Sequence, residues 1–167
     1  MNASEAFILT VNAPPAQPSL SVNFQPAAAP NASGYLTDGG AAFGDRGNGS
    51  SYGWNDNLAD NSRDRNLNSD QSLDTFIYAP LGSVWEAAIP NGTWTVTLVC
   101  GDPAYGTTSP TEADCEGDIL AASPVAGAKH VTLSGTVIVT DGRFTLRPVG
   151  RTLKCCRIVL VRISANT

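Results

Sequence analysis

Apolar and polar residues alternate along most of this chain, and no segment sustains a 3.6-residue apolar period. Ser19–Phe24 (Ser-Leu-Ser-Val-Asn-Phe) predicts a first strand, which Pro26 and the run Ala27–Pro30 end. Asp74–Ala79 predicts a strand entering Pro80, and Ser83–Ile89 and Gly92–Val99 predict two more around the turn signal Pro90-Asn91-Gly92. In the second of these, Trp94, Val96, Leu98 and Cys100 share one face while Thr93, Thr95 and Thr97 share the other, the pattern of a half-buried antiparallel strand. Val131–Thr140 and Arg143–Arg147 flank Asp141-Gly142, a hairpin signature, and Arg157–Ile163 closes the chain as a last strand. About eight short strands with two long polar regions predict an all-β, antiparallel β-sandwich of jelly-roll type.

The first polar region covers residues 31–70. Within it, 34–57 holds seven glycines and the aromatics Tyr35, Phe43, Tyr52 and Trp54, without helical or strand periodicity. It is expected to be a loop, yet it is too aromatic for a linker, and loops held on a rigid scaffold commonly carry binding surfaces. Residues 101–118 form the second such loop, with Asp102, Tyr105, Glu112, Asp114 and Asp118.

The chain has 167 residues, which fits one two-layer domain. Ten Lys and Arg against fifteen Asp and Glu give a net charge of −5, and the only lysines are Lys129 and Lys154. Such a balance argues against nucleic acid as a partner, since phosphate binding needs clustered cations. It argues likewise against an anionic membrane surface, and no run of 18 apolar residues is present to span a bilayer. Residues 6–12 (Ala-Phe-Ile-Leu-Thr-Val-Asn) resemble the final strand of a preceding module, or else form an edge strand of this domain; Ala13–Pro18 reads as a stiff linker. Residues 1–18 are therefore expected to be leader and linker, and 19–167 the sandwich domain.

Scarce lysine, abundant Thr and Asn, and the modular leader point to an extracellular protein, where disulfides persist. Four cysteines (Cys100, Cys115, Cys155, Cys156) allow three pairings. Cys100–Cys115 would close a short loop and is the first expectation; Cys155–Cys156 would then form a strained vicinal ring or stay reduced. Zinc is disfavoured, because there is no CxxC pair and the chain has one histidine.

The chemistry of 34–57 suits a ligand with apolar faces and polar rims, as a sugar has. Tyr52 and Trp54 lie two apart, so their rings point the same way, either as a stacking platform for a pyranose or as a plug in the core. Asp45, Arg46 and Asn48 can each hydrogen-bond hydroxyls, or can satisfy their own Gly-rich turn. Tyr35 and Tyr105, on separate loops, are the candidates most open to solvent, with Asp102 beside the latter. Arg63-Asp64-Arg65 reads better as a salt-bridge network tying loop to sheet. Asp74, Asp102 and Asp118 are weak candidates for a structural Ca²⁺, without EF-hand spacing. His130 lacks the Gly-x-Ser-x-Gly elbow of a serine hydrolase, and no spacing selects Glu86 and Asp102 as a glycosidase acid pair.

Several phrases occur in an order that matches one family: Val22-Asn23-Phe24-Gln25-Pro26, Gly44-Asp45-Arg46-Gly47-Asn48-Gly49, Tyr52-Gly53-Trp54-Asn55 and Arg63-Asp64-Arg65-Asn66. They are followed by Trp85-Glu86-Ala87-Ala88-Ile89-Pro90-Asn91-Gly92-Thr93-Trp94-Thr95-Val96 and Asp141-Gly142-Arg143-Phe144-Thr145-Leu146. Over roughly residues 19–163 the chain resembles the malectin-like, galactose-binding-fold modules of secreted bacterial multidomain proteins. The last strand departs from that pattern at Cys155-Cys156, and 101–118 departs through the stretch Thr107–Thr111. The resemblance implies a non-catalytic carbohydrate-binding module that targets an attached enzyme or cell to polysaccharide. A structural or adhesive spacer of a surface protein is the alternative, and a small secreted hydrolase the third possibility.

Overall fold

The computed structural model describes residues 18–106 and 109–163, so all but Pro18 of the leader and linker expected at 1–18 lies outside the described residues. In chain order the strands are β1 (Ser19–Phe24), β2 (Leu36–Asp38), β3 (Gly44–Asp45), β4 (Ser51–Trp54) and β5 (Ser62–Asp64). A single helical turn, α1 (Gln71–Asp74), precedes β6 (Thr75–Ala79), β7 (Trp85–Ala88), β8 (Gly92–Gly101) and β9 (Thr111–Cys115). The chain closes with β10 (Asp118–Ala122), β11 (His130–Val139), β12 (Arg143–Pro148) and β13 (Leu153–Arg162). No described helix is long and apolar enough to cross a membrane.

The strands form an antiparallel β-sandwich, as the alternation predicts. One sheet runs β11-β8-β13-β1-β2, with β6 on β13 and β5 on β6; the other runs β10-β9-β12-β7-β4-β3. Only β1 and β2 pair in parallel among these ladders. One edge of β13 is shared end to end: β1 takes Arg157–Val161 and β6 takes Leu153–Cys155. Inward residues of the two sheets meet in one core, in which Trp94, Val96, Leu98 and Cys100 of β8 are all buried. Its aromatic centre is Phe24, Trp54, Trp85 and Phe144, with ring centroids 5.4 Å apart for Phe24–Trp85 and 6.2 Å for Trp85–Phe144.

Both turn signals are turns, but neither makes a hairpin. β7 belongs to one sheet and β8 to the other, and the same holds for β12 and β11. Pro90-Asn91-Gly92 and Asp141-Gly142 are therefore arches between sheets. Asn91 joins them, donating from Nδ2 to Thr140 O at 2.8 Å and accepting from Gly142 N at Oδ1 at 2.7 Å. The hairpin lies instead in the segment expected as a loop: β9 and β10 pair, with Cys115 opposite Asp118. Glu116 and Gly117 have φ of 58° and 88°, the left-handed pair of a type I′ turn. The region 34–57 is likewise not all loop, since β2, β3 and β4 run through it.

The disulfide expectation fails. All four cysteines are buried free thiols. Cys100 and Cys115 sit in different sheets, and the residue directly across from Cys100 on the neighbouring strand is Cys155. A bulge between Cys155 and Arg157 leaves Cys156 opposite no residue and turns its thiol to Gly101 O at 3.5 Å, so no vicinal ring forms. Burial pushes the Cys115 thiol up to about 12, and the Cys156 thiol is also raised by burial.

Candidate functional site

The stacking platform expected at Tyr52 and Trp54 does not exist. Their rings do point the same way, but inward: each side chain is 1% exposed, leaving no face for a pyranose. Strand β4 pairs with β7, Trp54 opposite Trp85, so the two rings belong to the core, and the Tyr52 hydroxyl donates to Thr37 O at 2.8 Å. The turn beside them is self-satisfied. Asp45 accepts from Gly47 N at 2.8 Å, Asn48 accepts from Ser50 N at 3.0 Å, and Arg46 donates to Ala41 O and Ala42 O. Gly53 makes this close approach possible: at φ 138° a Cβ there would collide with the Arg46 guanidinium and come within 2.7 Å of Ala41 O. Tyr35 is half-buried against Arg157, whose guanidinium carbon is 5.6 Å from its ring centroid, and it lines a shallow depression of about 400 Å³ with Ser19, Ser21 and Ser50.

The other predicted aromatic, Tyr105, stands in a different place and is 64% exposed. Its position follows from Asp102. After β8, Asp102 donates its N–H to Lys129 O, its side chain accepts from Ala104 N, and its carbonyl accepts from Tyr105 N. The Asp102 carboxylate is 1% exposed and takes three side-chain donors. Arg65 grips it with Nε to Oδ1 at 3.0 Å and Nη2 to Oδ2 at 2.8 Å, and Lys154 donates from Nζ to Oδ2 at 2.9 Å. Burial alone would raise the Asp102 carboxyl, but these two cations outweigh it and hold the group at about 2. The salt bridge expected within 63–65 is thus real at Arg65, and its partner lies 37 residues away.

Pairing of β5, β6 and β13 completes the site. On β6, Ile77 and Ala79 enter the core, so Phe76 and Tyr78 point to the outer face. Phe76 is buried beneath Arg65 and Lys154, at 5.2 and 5.6 Å from its ring centroid, whereas Tyr78 stays 43% exposed. Lys154 alternates outward between the buried Leu153 and Cys155. The Arg65 guanidinium and the Lys154 ammonium also lie 5.4 and 5.5 Å from the Tyr105 ring, within cation–π range. Two shallow clefts meet at Lys154. One, about 160 Å³, runs past Asp102, Tyr105 and Arg151; the other, about 240 Å³, runs past Arg63, Arg65 and Tyr78.

Tyr105 and Asp102 were legible as candidates and Arg63 as part of a salt-bridge network, but Tyr78, Arg151 and Lys154 were not. The available signal was the outward phase of Tyr78 and Lys154 on their strands. Tyr35 and Tyr105 line different clefts.

The three calcium candidates are dispersed. Asp74 on α1 accepts from Asn66 N, Leu67 N and Asn68 N at 2.6–2.8 Å, bonds that hold its carboxyl below the usual range despite burial. Asp102 is held by its two cations, and Asp118 stands exposed on β10. Among the described residues no three His, Cys, Asp or Glu side chains gather at one point. Glu86, on the six-stranded sheet, pairs with Arg143 at 2.9 Å, away from Asp102 on the other sheet. His130 Nε2 lies 2.9 Å from Leu73 O, and burial lowers its imidazole.

Neither a protein-family model nor a curated protein matches the chain. Solved structures do resemble it. The YXIM protein of Bacillus subtilis superposes with a TM-score of 0.60 at 18% identity, over 88% of this chain and 40% of that one. A chain from the complex of the plant peptide RALF23 with FER and LLG2 gives 0.58 at 10% identity, over 89% and 40%. The β-glucuronidase 2 of Bacteroides uniformis gives 0.55 at 17% identity, over 87% of this chain and 18% of that one. This likeness is one of fold, an antiparallel β-sandwich, and the chain spans 40% or less of each of these longer chains.

Proposed function

We propose that the chain is a non-catalytic, malectin-like carbohydrate-binding module of an extracellular protein, holding an attached domain or cell on a polysaccharide. The observation that carries this is the pair of exposed rings, Tyr78 and Tyr105, set beside fixed polar groups on the outer face of a rigid sheet. An aromatic face meets the C–H face of a pyranose, while Arg63, Arg65, Lys154 and the backbone around Asp102 supply hydrogen bonds to its rim. Sugar hydroxyls exchange water for protein partners at small net gain, so a single site binds modestly and gains by tethering to its neighbours. Occurrence of the same fold as 18% of a β-glucuronidase chain supports a role beside a catalytic domain.

Electrophoresis of the purified domain through gels containing a panel of polysaccharides tests this. Retardation by at least one glycan is expected, weakened about tenfold by Tyr105→Ala or Tyr78→Ala, the scale of one lost aromatic contact. Retardation by no glycan in the panel overturns the proposal. The self-satisfied turn at 44–54 and its buried rings favour the spacer as the second reading, and that result would select it. Unchanged binding in both folded variants would move the site away from this face.

A further inference from the structure

The chain is acidic overall, yet the two clefts meeting at Lys154 are not. Their described lining residues include four cations, Arg63, Arg65, Arg151 and Lys154, against one acid, Asp102. Four of the ten Lys and Arg residues therefore converge on one face with a local surplus of three positive charges. Asp102 does not exhaust their donors. It occupies Nε and one Nη2 proton of Arg65 and one of the three protons of Lys154, leaving both Nη1 protons and the second Nη2 proton of the first and two protons of the second. Arg63 spends Nη1 on the carbonyls of Asp60 and Ser62, which fixes its fork in place while Nη2 and Nε keep their protons. The Arg151 side chain has no hydrogen-bonded partner among the described residues.

We infer that the ligand of this face is an acidic glycan, with a pyranose-borne oxyanion (a uronate carboxylate or a sulfate ester) seated among these cations and its ring on Tyr105 or Tyr78. This rests on the carbohydrate-binding role proposed above. A neutral sugar laid on the two tyrosines would replace the water around these charged groups only with uncharged hydroxyls, at small net gain. An oxyanion replaces that water with charge-assisted hydrogen bonds, and the planar guanidinium fork matches its paired oxygens. The orientation of Arg65 by the buried Asp102 carboxylate readies one such fork before any ligand arrives.

Titration calorimetry on the whole domain, at low and at physiological salt, is the test. The probes are polygalacturonate, its fully methyl-esterified form, a sulfated galactan and polyaspartate. Polygalacturonate or the sulfated galactan should bind at least about tenfold tighter than the neutral ester, the scale of one charge-assisted hydrogen bond, and should weaken as salt rises. Whichever of the two acidic polymers wins identifies the oxyanion. The exposed double variant Arg63→Gln/Arg151→Gln should lose that preference with its melting temperature unchanged, and Tyr105→Ala should weaken the acidic glycan but not polyaspartate. Affinity for both acidic polymers no greater than for the neutral ester overturns this inference while leaving carbohydrate binding intact. Polyaspartate bound as tightly as the glycans, with Tyr105→Ala indifferent, overturns it in favour of a general polyanion patch. Absence of binding to any glycan overturns both proposals.

Discussion

At the scale of single residues, Asp102 does the most. It is a buried carboxylate whose partners, Arg65 and Lys154, remain about a quarter to a third exposed. Removing its charge leaves two cations against Phe76 with nothing to balance them, and Asp102→Asn should cost about 3 kcal/mol of stability in chemical denaturation, at the low end for a broken buried pair because its partners are partly solvated. The pH dependence has a definite sign. The folded-state carboxyl sits at about 2, below its ordinary value of 3.8, so its contribution is complete above pH 4 and is lost as pH falls toward 2. The melting temperature of the wild type should fall through that window, and the fall should be smaller in Asp102→Asn. Equal slopes would show that other carboxylates govern the acid limb. At the same scale, aromatic residues divided by partner and not by type: Trp54 and Tyr52 went to the core because β4 pairs with β7, whereas Tyr105, in a loop beyond a ten-residue strand, had no facing sheet to cover it.

At the scale of elements, long alternating strands were legible and their neighbours were not. β8, β11 and β12 appear close to where alternation places them, because a two-layer sandwich requires period two on any strand with one buried face. Turn chemistry, by contrast, fixes only local backbone. Asp141-Gly142 has the φ of 82° at Gly142 that its sequence demands, yet the strands it joins separate into different sheets. What decides between hairpin and arch is which strands the flanking residues can pair with elsewhere, and this is not local information. β9 and β10 illustrate the converse, since Glu116-Gly117 makes a tight hairpin without an Asn or Asp to announce it. The two arches carry a prediction of their own. Asn91→Ala removes two hydrogen bonds that hold them together at 2.7 and 2.8 Å. Being exposed, these should contribute about 1–2 kcal/mol together, read as a shift in denaturant midpoint with an unchanged slope. No shift would mean that the arches hold each other through packing alone.

At the scale of the whole molecule, the candidate site was harder to read than the fold because it is assembled from four distant stretches: 61–65, 76–78, 102–106 and 151–154. Each looks ordinary alone, and only the shared edge of β13 brings β6, and through it β5, beside the loop after β8. Asp102 therefore links segments 37 and 52 residues from it in sequence, through a single carboxylate. Its consequence concerns cooperativity of opening. Neither the Asp102–Tyr105 turn nor Arg65 can swing out without breaking the same contacts, so their amides should become accessible in one sub-global event instead of fraying independently. Hydrogen–deuterium exchange should show matching protection for residues 65–68 and 102–105, and Asp102→Asn should lower both by a similar factor while leaving the β11 amides unchanged. Loss of protection in one segment alone would show that the two walls of the groove move separately.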